Sequence, residues 1–213
     1  MARIPRGFDI AAAAAHLAKS DRRLGRWMRR IGPIEYDFKR TFDPVDALAR
    51  SILHQQLSGH VVRVIEARVE ALMPARRRIT AAGIDRLDDA ALRGAGVSGQ
   101  KILALRDLAR KFDEGVVPSV RQMAWMDDDE IVERLVAVRG IGRWTVEMLL
   151  MFRLGRPDVF PVDDLGVRKG AQRVHDLPEL PSARELRQLG EPWMPWRSLA
   201  SFYLWRVSDF RES

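Results

Sequence analysis

The chain has 213 residues, 46% hydrophobic and 31% charged, enough for one large domain or two small ones around a real core. Its formal charge is +7, carried mostly by arginine (lysine stands only at 19, 39, 101, 111 and 169), which fits an anionic partner and equally a plain compositional bias. It has no cysteine, which excludes disulfides, thiolate zinc sites and cysteine-bound iron–sulfur clusters; no apolar run nears the ~18 residues of a membrane span. A soluble intracellular protein, cytoplasmic or nucleoid-associated, is expected.

Strand signals are scarce and helical periodicity recurs, so the expected class is all-α. The alanine-rich stretch 9–19 reads as a helix, its flanks unlike those of a signal peptide. A basic segment, "DRRLGRWMRR", reads as the next; Arg22, Arg23, Arg29 and Arg30 there form either a solvated face or auxiliary contacts to an anion. After a Pro/Gly-punctuated link, Asp43 and Pro44 are a helix start: an N-cap oxygen, then a residue whose missing N–H costs nothing at that position. Val45, Leu48, Ala49, Ile52 and Leu53 keep the i, i+3, i+4 spacing of one buried face. The helix ends at "HQQLSG", where Ser58 is placed to cap another running to about Met73.

Further helices are expected over 88–94, from Gly99 to Phe112, and from Asp127 to Val138, the last opening with Asp127 and Glu130 at capping-box spacing. Gly140-Ile141-Gly142 stops it, and a new helix runs from Arg143 to Leu154 with Val146, Leu149 and Leu150 inward. Pro157 and Pro161 break the chain before a helix beginning near Asp163 or Asp164, and the last helix is rich in aromatic residues.

Two helices joined by a Gly-x-Gly turn make a hairpin. Its second helix opens with unpaired N–H groups and the positive end of the dipole, so it can hold a phosphate without reading sequence. Taken alone, such a turn also fits a plain helical corner.

The ordered blocks "ILHQQLSGHVV", "GVSGQKILALRDLA", "VRGIGRWTVEMLLMF…DVFPVDDLGVRK" and "PWMPWRSLASFYLW" resemble the helix-hairpin-helix glycosylase superfamily, in its alkylation-repair (3-methyladenine DNA glycosylase II) branch. The resemblance spans roughly 44–206. It implies two helical subdomains with a cleft between them: 1–44 with 166–213, and 45–165 with the hairpin at about 127–154. It implies binding of double-stranded DNA carrying alkylated bases, by a monomer. The implied reaction is hydrolysis of the N-glycosidic bond of flipped-out alkylated purines, 3-methyladenine and with it 7-methylguanine.

By the same resemblance, Asp164 is the catalytic carboxylate and Asp163 caps or orients the following helix. Gly140, Ile141, Gly142, Arg143 and Thr145 form the phosphate-binding hairpin. The carbonyls of Val136, Val138 and Ile141 would hold a structural monovalent cation, Na+ or K+, and no other cofactor is required. Trp144, Trp205, Met148, Gln55 and His54 line the base pocket, although core packing is an alternative for both tryptophans, more so for Trp205 than for Trp144. Gln56 or Leu57 is the wedge that fills the gap in the duplex. Trp193, Trp196 and Arg197 pack and orient the last helix. Bifunctional relatives place a lysine where this chain has Trp144, and Lys169 is too far along the next helix to replace it, so no strand-cutting activity is expected. Two alternatives stay open: a glycosylase for another damaged or mispaired base, since Met148 and His54 depart from the branch, and a non-catalytic binder of DNA structure.

Overall fold

The computed structural model describes residues 3–38, 41–57, 59–74 and 78–211, and among these there is no strand. The chain forms two compact units: Met1–Ile4 with Thr41–Val146, and Pro5–Arg40 with Glu147–Ser213.

The first two helices belong to the second unit. Helix α1 (Ile10–Ser20) is capped by Asp9, which accepts from the Ala12 N–H, and α2 (Arg22–Ile31) by Asp21, which accepts from Arg23 and Leu24. Leu17, Leu24 and Met28 are the inward positions. The basic segment is therefore a helix. Arg30 of its outer face lies over the Trp27 and Phe210 rings, 5.2 and 4.6 Å from their centroids, and Arg23 reaches the His175 carbonyl. These two arginines are engaged within the protein.

The first unit holds α3 (Pro44–His54), α4 (Gly59–Leu72), α5 (Ala81–Arg86), α6 (Asp89–Gly94), α7 (Gly99–Asp113), α8 (Val120–Met123) and α9 (Asp128–Val136). Asp43 caps α3 as its sequence requires, accepting from Val45 and Asp46. Ser58, expected to cap α4, lies outside the described residues. Helices α3 and α5 pack on α7, so Leu48, Ile52, Ile84, Leu105 and Leu108 meet in a core with no exposed surface; each such side chain contributes on the order of 2 kcal/mol. Arg50 binds Asp46, Glu66 and Glu70, tying α3 to α4. Only half of the expected capping box forms at α9: Asp127 accepts from the Glu130 N–H, while the Glu130 carboxylate turns to Arg134 one helical turn on.

Helix α10 (Arg143–Leu149) is shorter than expected, because Leu150–Leu154 widens into a π turn. The division between units falls inside α10, at Val146/Glu147, and not near 165. The physical reason is the partner of the segment after the hairpin. The Leu154 carbonyl accepts from Gly7, the Phe152 carbonyl from the Tyr36 hydroxyl and the Arg153 carbonyl from Arg6, so this stretch is built onto the N-terminal segment.

The second unit closes with α11 (Leu165–His175), α12 (Ala183–Leu189) and α13 (Arg197–Asp209). Helices α11 and α13 form its most extensive packing, made possible by two glycines. A Cβ at Gly170 would come 2.1 Å from the Leu204 carbonyl oxygen, and one at Gly166 would come 2.7 Å from the Trp205 ring. The absent side chains let the helices approach almost backbone to backbone. Trp193 is fully buried and donates to Asp21 at 2.9 Å, and Arg197 grips Asp158 with two 2.7 Å bonds, which fixes the start of α13.

Candidate functional site

In the second unit, Asp164 is itself the N-cap of α11: its Oδ1 accepts from the Val167 N–H at 2.8 Å. The sequence expectation had given the capping role to Asp163, whose side chain is exposed. The adjacent aspartates differ in which of them reaches the third helical N–H, and the chain turns so that the second does. The same oxygen accepts from the Trp205 indole N–H, also at 2.8 Å. Two donors converging on one oxygen fix the orientation of the carboxylate, and Asp164 remains only half-buried.

Trp205 is not simple core. It is half-buried and lies nearly parallel to Phe152 (centroids 5.7 Å apart, 19° between planes), with Phe202 at 6.1 Å. Phe152 in turn stacks on Phe202 at 5.2 Å, and Tyr36 on Phe202 at 5.7 Å. An electron-rich aromatic assembly thus stands beside a carboxylate. Such a surface favours a flat cationic ring, since a cation over an aromatic face gains about 0.5–2 kcal/mol. Phe152 and Tyr36 were not singled out in the sequence, where they are isolated aromatics in separate segments. The π turn, a feature common at functional sites, carries Phe152. Met148, in α10, is half-buried.

In the first unit, the hairpin takes the expected form. Gly140 has φ +79°, a conformation that L side chains rarely adopt, and a Cβ there would also press on Ala104 at 3.3 Å. A side chain at Gly142 would meet nothing of the protein, so that side of the turn is open. Arg143 is exposed, 3.6 Å from Asp129. Thr145 is 9% exposed, so it offers the hairpin its backbone more than its hydroxyl. Trp144 is 51% exposed, which removes the core-packing alternative for this residue. Ile141 and Val138 are buried, Val136 is exposed, and the Val138 carbonyl accepts from the Ile141 N–H at 3.0 Å.

The loop after α3 is held against the hairpin. Gln55, expected as pocket lining, donates from its amide to the Gly140 carbonyl at 2.7 Å. Gln56 follows with φ +57°, left-handed for a residue with a side chain, and is exposed. Leu57 is 39% exposed, so it is not core. His54 is exposed and bonds Glu66 at 3.0 Å; burial, then the charges of Arg50 and Lys101, hold its pKa below the usual histidine value. Lys101, which the sequence reading passed over, donates to the Leu53 and Gln55 carbonyls, and burial lowers its pKa from the usual lysine range. Among the described residues no cluster of three acidic or histidine side chains could hold a metal ion, and no helix is long and apolar enough to cross a membrane.

Residues 49–195 match the model of the HhH-GPD superfamily of base excision DNA repair proteins. The chain is 33% identical over 207 residues to DNA-3-methyladenine glycosylase 1 of Schizosaccharomyces pombe, covering 96% of this chain and 90% of that protein. Among solved structures, it is similar to a 3-methyladenine DNA glycosylase of Schizosaccharomyces pombe in complex with abasic DNA, with a TM-score of 0.82 and 32% identity over 93% of this chain and 97% of that one. It is also similar to a DNA-3-methyladenine glycosidase of Bacillus halodurans, with a TM-score of 0.84 and 31% identity over 92% and 89% of the two chains.

Proposed function

This chain belongs to the HhH-GPD superfamily of base excision DNA repair proteins, and from that premise we propose that it excises alkylated purines from double-stranded DNA, 3-methyladenine first and 7-methylguanine with it. The observation that carries the reading is the Asp164 carboxylate, oriented by the Trp205 indole N–H and the Val167 N–H beside an aromatic stack.

Cleavage of an N-glycosidic bond passes through a sugar cation of oxocarbenium character. A fixed carboxylate stabilises that cation and can take a proton from the attacking water. Its orientation is set before substrate arrives, so little reorganisation is needed at the moment of reaction. Alkylation at N3 or N7 gives the purine a positive charge. Such a base leaves readily, and the half-buried Trp205 and Phe152 rings, backed by Phe202, suit it by cation–π attraction. The bond is inaccessible inside a duplex, so the nucleotide must rotate out, at a cost of a few kcal/mol. Gln56, held in its left-handed turn, is the wedge that occupies the gap, with Leu57 beside it.

The N–H groups opening α10, with Arg143, anchor a backbone phosphate. The carbonyls of Val136, Val138 and Ile141 are the donors for a monovalent cation there. Val138 keeps a second lone pair beyond the one given to Ile141, and Val136 ends a helix with no further turn to satisfy it, so the donor set fits. The ion would supply positive charge beside that phosphate. The enzyme acts as a monomer, in the cytoplasm on nucleoid DNA, and without lyase activity: Trp144 has no amine to form a Schiff base.

Chromatography of bases released from methylated genomic DNA tests this reading. Wild type is expected to release 3-methyladenine and Asp164→Asn none; release of no methylated base by wild type would refute it. A covalent DNA adduct trapped by borohydride would refute the monofunctional assignment.

A further inference from the structure

The face of α7 that carries Gln100, Lys101, Ala104 and Asp107 touches both the hairpin and the loop after α3. Asp107 accepts from the Arg139 backbone N–H at 2.7 Å, Gln100 accepts from the Arg139 side chain at 3.0 Å, and Ala104 lies under Gly140. Three positions of one rigid helix therefore fix the hairpin. The fourth, Lys101, reaches the other way: its ammonium donates to the Leu53 carbonyl at 2.6 Å and the Gln55 carbonyl at 2.8 Å.

Lys101 stands in the first turn of α7 (Gly99–Asp113), where a positive charge meets the positive end of the helix dipole and is disfavoured. The compensation is the C-terminal end of α3, whose last carbonyls have no intrahelical donor and carry the negative end of that dipole. The ammonium joins the end of one helix to the start of another. From the residue so held, Gln55, the chain enters the left-handed turn at Gln56, and the Gln55 amide binds the hairpin at Gly140.

We propose that Lys101 is a positioning residue for the wedge: by capping α3 it holds the Gln55-Gln56-Leu57 loop in the shape that enters the duplex, and α7 keeps that loop in fixed register with the phosphate-binding hairpin. The proposal rests on the glycosylase reading for what the loop does. Its charge is used inside the protein. Lys101 is thus distinct from a phosphate-binding lysine, and the two roles predict different salt behaviour.

The test uses the full chain with Lys101→Met and Lys101→Arg, and a duplex carrying a tetrahydrofuran abasic analogue with 2-aminopurine opposite it. Insertion of the loop changes the 2-aminopurine fluorescence whether or not a base is excised. Lys101→Met is expected to lose most of that change and to excise 3-methyladenine from duplex at least about tenfold more slowly. Its salt dependence of binding to undamaged duplex should match wild type, and Lys101→Arg, which also offers two N–H donors, should restore the fluorescence change. A salt slope shallower by about one unit in Lys101→Met would overturn the proposal in favour of a phosphate contact. So would an unchanged fluorescence response. Should Lys101→Met not fold, Gln55→Leu cuts the second tie of the same loop and is expected to lose the fluorescence change; retention there overturns the proposal. If wild type inserts its loop but releases no methylated base, the excision reading fails while the positioning of the loop by Lys101 is still decided by the fluorescence.

Discussion

The indole N–H of Trp205 and the backbone N–H of Val167 donate to one and the same oxygen of Asp164, each at 2.8 Å. The residue that caps α11 is thereby also the carboxylate proposed to act in excision, and the two roles separate under substitution. Asparagine caps a helix about as well as aspartate. Asp164→Asn is therefore expected to melt within a degree or two of wild type, to bind abasic DNA at least as tightly, and to lose about 100-fold or more in base release. Calorimetry, a gel-shift titration and a single-turnover assay check the three parts, and a large drop in melting temperature would show that the carboxylate is mainly structural.

Trp205→Phe keeps a stacking ring and removes the donor. The hydrogen bond to a charged acceptor is worth about 1.5–3 kcal/mol, so kcat is expected to fall roughly tenfold or more while KM for methylated DNA changes little. Trp205→Leu should lose both kcat and affinity. Equal behaviour of the two variants would assign the whole effect to the lost N–H donor and none to the stacking ring, whereas wild-type behaviour of Trp205→Phe would assign it to ring packing.

Gly166→Ala places a methyl 2.7 Å from the Trp205 ring and 3.2 Å from Asp164 Oδ1. Helix α13 cannot yield without moving Leu204 off Gly170, so the overpacking is expected to cost about 1–3 kcal/mol of stability and to depress excision with it. Denaturant titration measures the first and base release the second; wild-type values for both would contradict the close approach.

Gln56 with φ +57° is held in a region that side chains disfavour by about 1–2 kcal/mol. Gln56→Gly removes that strain together with the side chain proposed as the wedge. It is expected to raise stability by up to about 1 kcal/mol and to slow duplex excision, a trade of activity against stability. Increased stability with undiminished excision would move the wedge to Leu57.

Acid should unfold the second unit through Asp21. Burial opposes its charge, but the His175 imidazole 3.3 Å away and the N–H groups of Leu24 and Trp193 outweigh it and bring its pKa down from 3.8 to about 2. The folded state binds the proton less readily than the unfolded one. The stabilisation is therefore complete above about pH 4 and is lost as pH falls toward 2, amounting to about 2 kcal/mol at most. Asp21→Asn should flatten the pH dependence of stability across that interval, as measured by urea unfolding at stepped pH.

The sequence is most legible where local chemistry decides structure. Asp9 and Asp43 announce their helices because an N-cap acts within three residues, and Gly140 announces the hairpin because a positive φ excludes most alternatives. What stays hidden is made by tertiary contact. Helices α5, α8 and α12 are too short to show a period, and the π turn at Leu150–Leu154 leaves no mark in an apolar stretch. Phe152 and Tyr36 come together only when the N-terminal segment folds onto the chain after the hairpin. The same contact moves the boundary between units from near 165 to Val146/Glu147. Lys101 was invisible for a related reason: its partners are backbone carbonyls, which every residue has.

The glycines at 166 and 170 also decide where this protein can vary. Because α11 and α13 meet through positions that admit no side chain, the carboxylate and its indole partner form a fixed frame that mutation can damage but hardly reshape. A directed-evolution library for new lesions should leave that frame untouched. Its diversity belongs at Tyr36 and Phe152, which reach the Trp205 stack from other segments and can change size without disturbing the helix crossing.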